Sequence, residues 1–336
     1  MRWITYVEPD APAGPGSPGA GISGPGSSGS GSPGRAGLLV DGLVHGLAEP
    51  LLTLIAADGG LPAAADRART APVEVRRSDD VRVLAPIPDP PSVRDFLSFE
   101  EHTRNALRAL GREVSPVWYR QPVFYFTNPV AVVGPGADVP ISPGSAAFDY
   151  EVEVAAVIGR AGSDLTPEQA EASIAGYTIF CDWSARDLQG VESQVGLGPA
   201  KGKDGVTSLG PVLVTPDELE PYRSGHGYDL RMSASVNGRP YGGGSWSTVN
   251  WSFGQMIAYA SRGTRLRPGD VVGSGTVGTG CILELSGLHG HDAYPWLVPG
   301  DTVEVTVEHL GSLVGRIVDG AAVVPLGDPA ASPPKP

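Results

Sequence analysis

Apolar and polar positions alternate over residues 2–7 with the period of a strand. The pattern recurs on both sides of Asp41-Gly42 within GLLVDGLVHG (37–46), which predicts a two-stranded hairpin. Residues 48–57 are apolar at helical spacing, and Asp58-Gly59-Gly60 stops the run. VRVLAPIPDPP (81–91) begins as a strand and then holds too many prolines to continue inside a sheet, so it predicts a rigid linker. Ser92 can cap a helix, with Phe96, Phe99, Leu107 and Leu110 roughly along one face and Gly111 at its end; that helix would carry both Asp95 and His102. From Val117 onward the pattern predicts mostly strands, at 123–127, 130–133, 149–158, 176–181, 211–214, 229–236, 271–274, 282–286 and 302–307. Asn237-Gly238 is the strongest hairpin signal in the chain. Helical spacing is confined to about 167–175, a turn near 183–189, and 252–262.

Composition sharpens this picture. Among 336 residues there are 47 glycines and 33 prolines, while charged residues make up only 18%, a balance that favours turns and short strands over long helices. Residues 11–36 are nearly all Gly, Ser, Pro and Ala, which predicts a flexible insert, and 327–336 predicts a flexible tail. The chain thus divides into a small N-terminal α+β domain (1–75) and a larger, mainly β domain (80–326). With 37 acidic against 24 basic residues the net charge is −13, and no basic patch offsets it, so no nucleic-acid partner is expected. No run approaches the roughly 18 apolar residues of a membrane span, so no membrane partner is expected either. Two cysteines, Cys181 and Cys281, build neither a disulfide framework nor a CxxC zinc site. With a start that lacks a basic segment followed by an apolar one, they point to a cytoplasmic setting.

The candidate chemistry lies in three segments. In FDYEVEVAAVIG (148–159), Asp149, Glu151 and Glu153 share one face of a strand. Taken alone, that is most simply a solvent-facing edge. The following Ala155, Val157 and Ile158 are apolar on both faces, so the strand is expected to be buried and its acids to need a counter-charge. Carboxylates without Cys or paired His suit a hard ion, Mg²⁺ or Ca²⁺. In CDWSARDLQG (181–190), Asp182 and Asp187 flank Arg186 at a strand end, where Asp182 is equally suited to reach a metal or to cap a turn. LGPAKGKDGVTSLGP (197–211) is glycine-rich and carries Lys201 and Lys203, but it lacks the spacing of a phosphate loop, which leaves a lysine aimed at an anionic or enolate oxygen. Glu100 and Glu101 read as a solvated helix face, His289 and His291 as a loop pair, and the cysteines as inert buried thiols.

These motifs, in this order and over nearly the whole chain after residue 80, resemble the fumarylacetoacetate hydrolase family. The resemblance implies an α+β, mainly β fold in which a small N-terminal domain precedes a β-roll or β-sandwich catalytic domain. It also implies metal ligands at Glu151, Glu153 and Asp182, with a fourth, Asp95, seven residues before a catalytic histidine, His102. The histidine would be oriented by Glu284 of ILELS (282–286). Tyr125, Arg186, Gln189 and Thr276 would touch substrate, and Lys203, or Lys201 on a gapped alignment, would be the active-site lysine. Leu97 stands where the fumarylacetoacetate-cleaving members have a substrate-binding tyrosine, and Phe126-Thr127 replaces a His-Gly pair. The implied activity is metal-dependent hydrolysis of a carbon–carbon bond in a 1,3-diketo acid, such as fumarylacetoacetate or an acylpyruvate, by a homodimer. A decarboxylase or tautomerase of a 2-oxo acid is the alternative, and a silent ligand-binding protein with a structural metal is a third.

Overall fold

The computed structural model describes residues 1–11, 34–109 and 111–327. At its centre Val152–Ile158 pairs antiparallel with Ile174–Asp182, from Val152 opposite Cys181 to Val157 opposite Gly176. Neither strand alternates in sequence because each is covered on both sides. Val154, Ala156 and Ile158 enter one apolar core, while Ala155 and Val157 enter a second core built on Trp3, Leu38, Leu54 and Leu213.

The main sheet runs in the order Glu74–Arg77, Leu43–Gly46, Arg35–Val40, Arg2–Val7, Thr207–Val214, Ile174–Asp182, Val152–Ile158, Val271–Gly273, Val93–Phe96 and Phe124–Thr127. The N-terminal strands join it through Arg2 opposite Val214 and Trp3 opposite Leu213. Their two hairpin residues, Asp41 and Gly42, have the positive φ (49° and 78°) that the Asp-Gly pair predicts, and Asn237-Gly238 does the same (51° and 77°). A second sheet, Arg239–Ser245, Arg231–Val236, Thr302–Val307, Gly311–Val318 and Ala137–Pro140, stacks over the first core. Its inward residues Met232, Ala234, Val303 and Val305 alternate with more exposed ones, as a half-covered sheet requires. The fold is therefore mainly β, as expected.

Several local expectations are corrected. The helix predicted across 92–111 is two elements, the strand Val93–Phe96 and the helix Glu100–Ala109, so Asp95 and His102 lie on different elements. Parallel pairing of Val93–Phe96 with Val271–Gly273 overrides the helical spacing. Ser92 caps nothing here; its hydroxyl donates to Asp270 at 2.7 Å. The predicted strand 149–158 is interrupted, since Phe148–Asp149 pairs with Ser184–Ala185 and the main-sheet strand begins only at Val152. The predicted strand 282–286 is the start of a helix, Ile282–His289, whose first turn is held by Asp149: its carboxylate accepts from Ile282 N (2.7 Å) and Leu283 N (3.0 Å). A helix not predicted, Gly60–Thr70, buries Leu61, Ala64, Ala65 and Ala68 against the second core. The insert lies almost wholly outside the described residues, as do Leu110 and the tail beyond Gly327.

The two-sided core makes the central strands intolerant of truncation. Ile179→Ala, at a fully buried position, is expected to cost about 2–5 kcal/mol of stability. Urea unfolding followed by far-UV circular dichroism measures it.

Candidate active site

Asp95 ends up beside Glu153 because of the sheet order: Val93–Phe96 and Val152–Ile158 flank the short strand Val271–Gly273, with Asp95 in register with Gly273. A methyl group on Gly273 would stand 2.4 Å from Asp95 Oδ1 and 3.3 Å from Glu153 Oε2, so only glycine leaves room for both carboxylates. The next glycine donates its amide to both, Gly275 N to Asp95 Oδ1 at 3.1 Å and to Glu153 Oε2 at 2.9 Å. Thr276 Oγ1 adds a contact to Glu153 Oε1 at 3.3 Å. Glu151 and Asp182 complete the group, and one oxygen of each of the four residues lies within 4.8 Å of the others.

All four are buried, and for three of them burial decides the electrostatics. Burial, reinforced by the charges of Asp95 and Glu151, drives Glu153 well above the usual carboxylate range. Asp95 is raised for the same reason, and burial pushes Asp182 up to about 7 despite the neighbouring ammonium of Lys203. Glu151 goes the other way: burial opposes its charge, but Lys203 and Arg186 outweigh it and hold the carboxyl well below its ordinary value. Lys203 Nζ contacts both Glu151 and Asp182, and Arg186 Nη2 bridges Glu151 Oε1 (2.7 Å) and Asp149 Oδ2 (2.8 Å). Tyr125 donates its hydroxyl to Asp95 (3.0 Å) and also contacts Asp182.

This donor set fits a divalent cation. It is made wholly of hard oxygens, its charge exceeds what the two adjacent side-chain cations neutralise, and Asp182 Oδ1 is buried without a hydrogen-bond partner.

His102, from the Glu100–Ala109 helix, meets Glu284, from the first turn of Ile282–His289, with Nδ1 and Oε2 2.7 Å apart. Burial works against a charged imidazole here, yet the Glu284 carboxylate and its hydrogen bond more than offset it and raise the His102 pKa. Glu284 is lowered in turn, burial being overcome by His102. Its other oxygen accepts from Thr279 N (2.9 Å) and Asn105 Nδ2 (3.1 Å), and Cys281 Sγ lies 3.4 Å from Oε2. With Nδ1–H committed to Glu284, Nε2 is left as the basic nitrogen.

A cavity of about 310 Å³ brings these groups together: Asp95, His102, Glu151, Glu153 and Lys203 line it, with Tyr125 and Thr276 beside them. Asp182 belongs to the carboxylate cluster. Arg186 sits behind Glu151, outside the lining, where Nη1 donates to Gln189 Oε1 at 3.3 Å. Lys201 is apart from the rest, its side chain 75% exposed and paired with Asp204 in an adjoining groove.

Residue-by-residue reading missed the supports. Glu192 accepts the amides of Ala200 (2.9 Å), Lys201 (2.5 Å) and Gly202 (3.3 Å), and Thr127 Oγ1 donates to the carbonyl of Lys203 (3.1 Å); together they fix the loop that carries Lys203. Nothing in the local pattern marks these. Asn105 was accessible, three residues from His102 on a helix and therefore on its face. Asp149, grouped with the metal acids by alternation, instead joins Arg186 to the helix of Glu284.

Two substitutions probe the cluster. Glu153→Gln replaces an acid whose pKa is already raised with its neutral isostere, and Gly273→Ala intrudes between Asp95 and Glu153. Each is expected to weaken Mg²⁺ or Mn²⁺ binding by about tenfold or more. Calorimetry measures the affinity, and an unaltered far-UV spectrum shows that the fold is kept.

Comparison with known proteins identifies the family. A family model described as fumarylacetoacetate (FAA) hydrolase C-terminal matches residues 92–318. An oxaloacetate tautomerase of Bacillus subtilis is 31% identical over 241 residues, covering 71% of this chain and 73% of that protein. A fumarylacetoacetase of Arabidopsis thaliana is 29% identical over 244 residues, covering 57% of each chain. Among solved structures, a fumarylacetoacetate hydrolase from psychrophilic Exiguobacterium antarcticum superimposes with a TM-score of 0.65 at 26% identity, covering 95% of this chain and 99% of that one. The chain belongs to the fumarylacetoacetate hydrolase family.

Proposed function

We propose that the protein is a divalent-metal-dependent hydrolase that cleaves a carbon–carbon bond in a 1,3-diketo acid such as fumarylacetoacetate or an acylpyruvate. The observation that carries this reading is the buried His102–Glu284 pair lining the same cavity as the acidic cluster. Mg²⁺ or Ca²⁺, held by Asp95, Glu151, Glu153 and Asp182, would supply Lewis-acid polarisation of the substrate carbonyl.

The side chains account for the remaining steps. Nε2 of His102 takes a proton from water as the water oxygen adds to the carbonyl carbon, while Glu284 holds the ring in place and stabilises the imidazolium. The carbon–carbon bond then breaks, its electron pair leaves on the departing enolate, and His102 returns the proton. The Lys203 ammonium faces the cavity and stabilises the negative charge that develops on oxygen. Tyr125 and Thr276 position the substrate, Arg186 braces Glu151, and Gln189 holds Arg186. The reading includes a cytoplasmic homodimer; Cys181 and Cys281 are buried free thiols, and among the described residues no helix is long and apolar enough to cross a membrane.

A second reading, tautomerisation of a 2-oxo acid, is favoured by the name of the Bacillus subtilis relative. It needs proton transfer at carbon but no activated water, so the dyad separates the two. His102→Ala and Glu284→Gln are each expected to cut turnover about 10²–10⁴-fold with metal affinity intact, and non-additively, because Glu284 acts through His102. In ¹⁸O water the native enzyme should place label in a carboxylate product. Unlabelled products, or full activity without His102, would overturn hydrolysis in favour of tautomerisation.

The same dyad sets a pH dependence. His102 must be neutral to accept a proton, and its pKa is raised from 6.5. Catalytic efficiency should therefore fall as pH drops through an acid limb set by the His102–Glu284 pair, and a pH–rate profile locates that limb.

A further inference from the structure

Resting on the diketo-acid reading, we propose that the substituent on the far carbonyl of the substrate is a hydrocarbon group, selected by an apolar wall whose rim is Leu97 and Val123. The strand ladder places this wall. Asp95 is in register with Tyr125 and Phe96 with Phe124, and Leu97 N donates to Val123 O at 3.3 Å. Side chains two apart on a strand share a face, so Leu97 and Val123 continue the face of Asp95 and Tyr125, about 7 Å further along. All four line the cavity, whereas the rings of Phe96 and Phe124 pack together on the opposite face of the ladder. A substrate whose keto-acid end is held at the carboxylate cluster and Lys203 therefore extends its other end over hydrocarbon.

No cation waits there for a second carboxylate. Lys203 is the only Lys or Arg among the described residues lining the cavity, and its ammonium lies at the keto-acid end, in contact with Glu151 and Asp182. Arg94 is adjacent in sequence to Asp95 but is turned to the other face, over the rings of Phe126 (4.9 Å) and Phe124 (5.9 Å). Lys201 belongs to the neighbouring groove, paired with Asp204. A carboxylate placed against Leu97 and Val123 would lose hydration without gaining a partner, whereas an alkyl or aryl group would bury apolar surface.

The test compares catalytic efficiency on butanoylpyruvate and hexanoylpyruvate with that on fumarylpyruvate and succinylpyruvate. The apolar pair is expected to be favoured by about tenfold or more, and Leu97→Arg is expected to narrow or reverse the ratio. Should that variant fail to fold, Val123→Lys, at the partly exposed rim, makes the same change. A native enzyme that prefers the carboxylated compounds, or a ratio unmoved by the added cation, overturns the proposal while leaving hydrolysis standing. If no compound is cleaved, calorimetry with 2-oxohexanoate and 2-oxoadipate in the presence of Mg²⁺ decides separately. Tighter binding of 2-oxohexanoate supports the apolar wall although the reaction is wrong, and tighter binding of 2-oxoadipate overturns it.

Discussion

Four carboxylates held within 4.8 Å of one another in a buried pocket cannot all be ionised unless positive charge lies among them. Lys203 and Arg186 meet part of that demand, and they meet it unevenly, both bearing on Glu151 while Glu153 touches neither. The result is a split cluster. Glu151 is kept ionised, whereas Glu153, Asp95 and Asp182 are pushed towards their neutral forms. Such a site gains most from a dication, which lets the remaining acids ionise against it, and the same excess of negative charge keeps Lys203 protonated. Much of the architecture serves to hold this arrangement in place.

Holding it takes strands rather than loops. The cluster draws on three main-sheet strands, two of them adjacent and the third beyond the short strand Val271–Gly273, with Glu151 just before one of them. Each strand is fixed by hydrogen-bonded partners and by apolar packing on both faces, so the acids cannot relieve their repulsion by moving apart. Glycine does the rest. Gly273 makes room where two carboxylates converge, and Gly275, at a positive φ of 79°, turns its amide toward both.

How legible was this in the sequence? The acid spacing of Glu151 and Glu153, the following apolar run and the DWSARD segment carried the family resemblance, and with it the general fold. The hairpins at Asp41-Gly42 and Asn237-Gly238 were legible because their chemistry is local. What failed was whatever tertiary contact decides. Residues 92–96 have helical spacing but become a strand because the 271–273 edge awaits a partner. ILELS is too short for its period to discriminate strand from helix, and it becomes helical because a carboxylate over a hundred residues away accepts its first amides. The Glu192 cradle under the Lys203 loop leaves no periodic trace either, since its three amides are neighbours only in the folded chain.

Asp149 shows why the cluster and the dyad form one device. Its carboxylate accepts from Arg186, which braces Glu151 on the metal side, and from the first two amides of the helix that presents Glu284 on the dyad side. Arg186 and the first turn of the helix that carries Glu284 thereby share one buried carboxylate, with no intervening loop. The coupling also constrains substitution. Removing the Asp149 charge would leave the Arg186 guanidinium with one fewer carboxylate in a dry setting, and would free the helix start as well. The two proposed roles, holding a cation and aiming a base, thus depend on the same buried oxygen atoms.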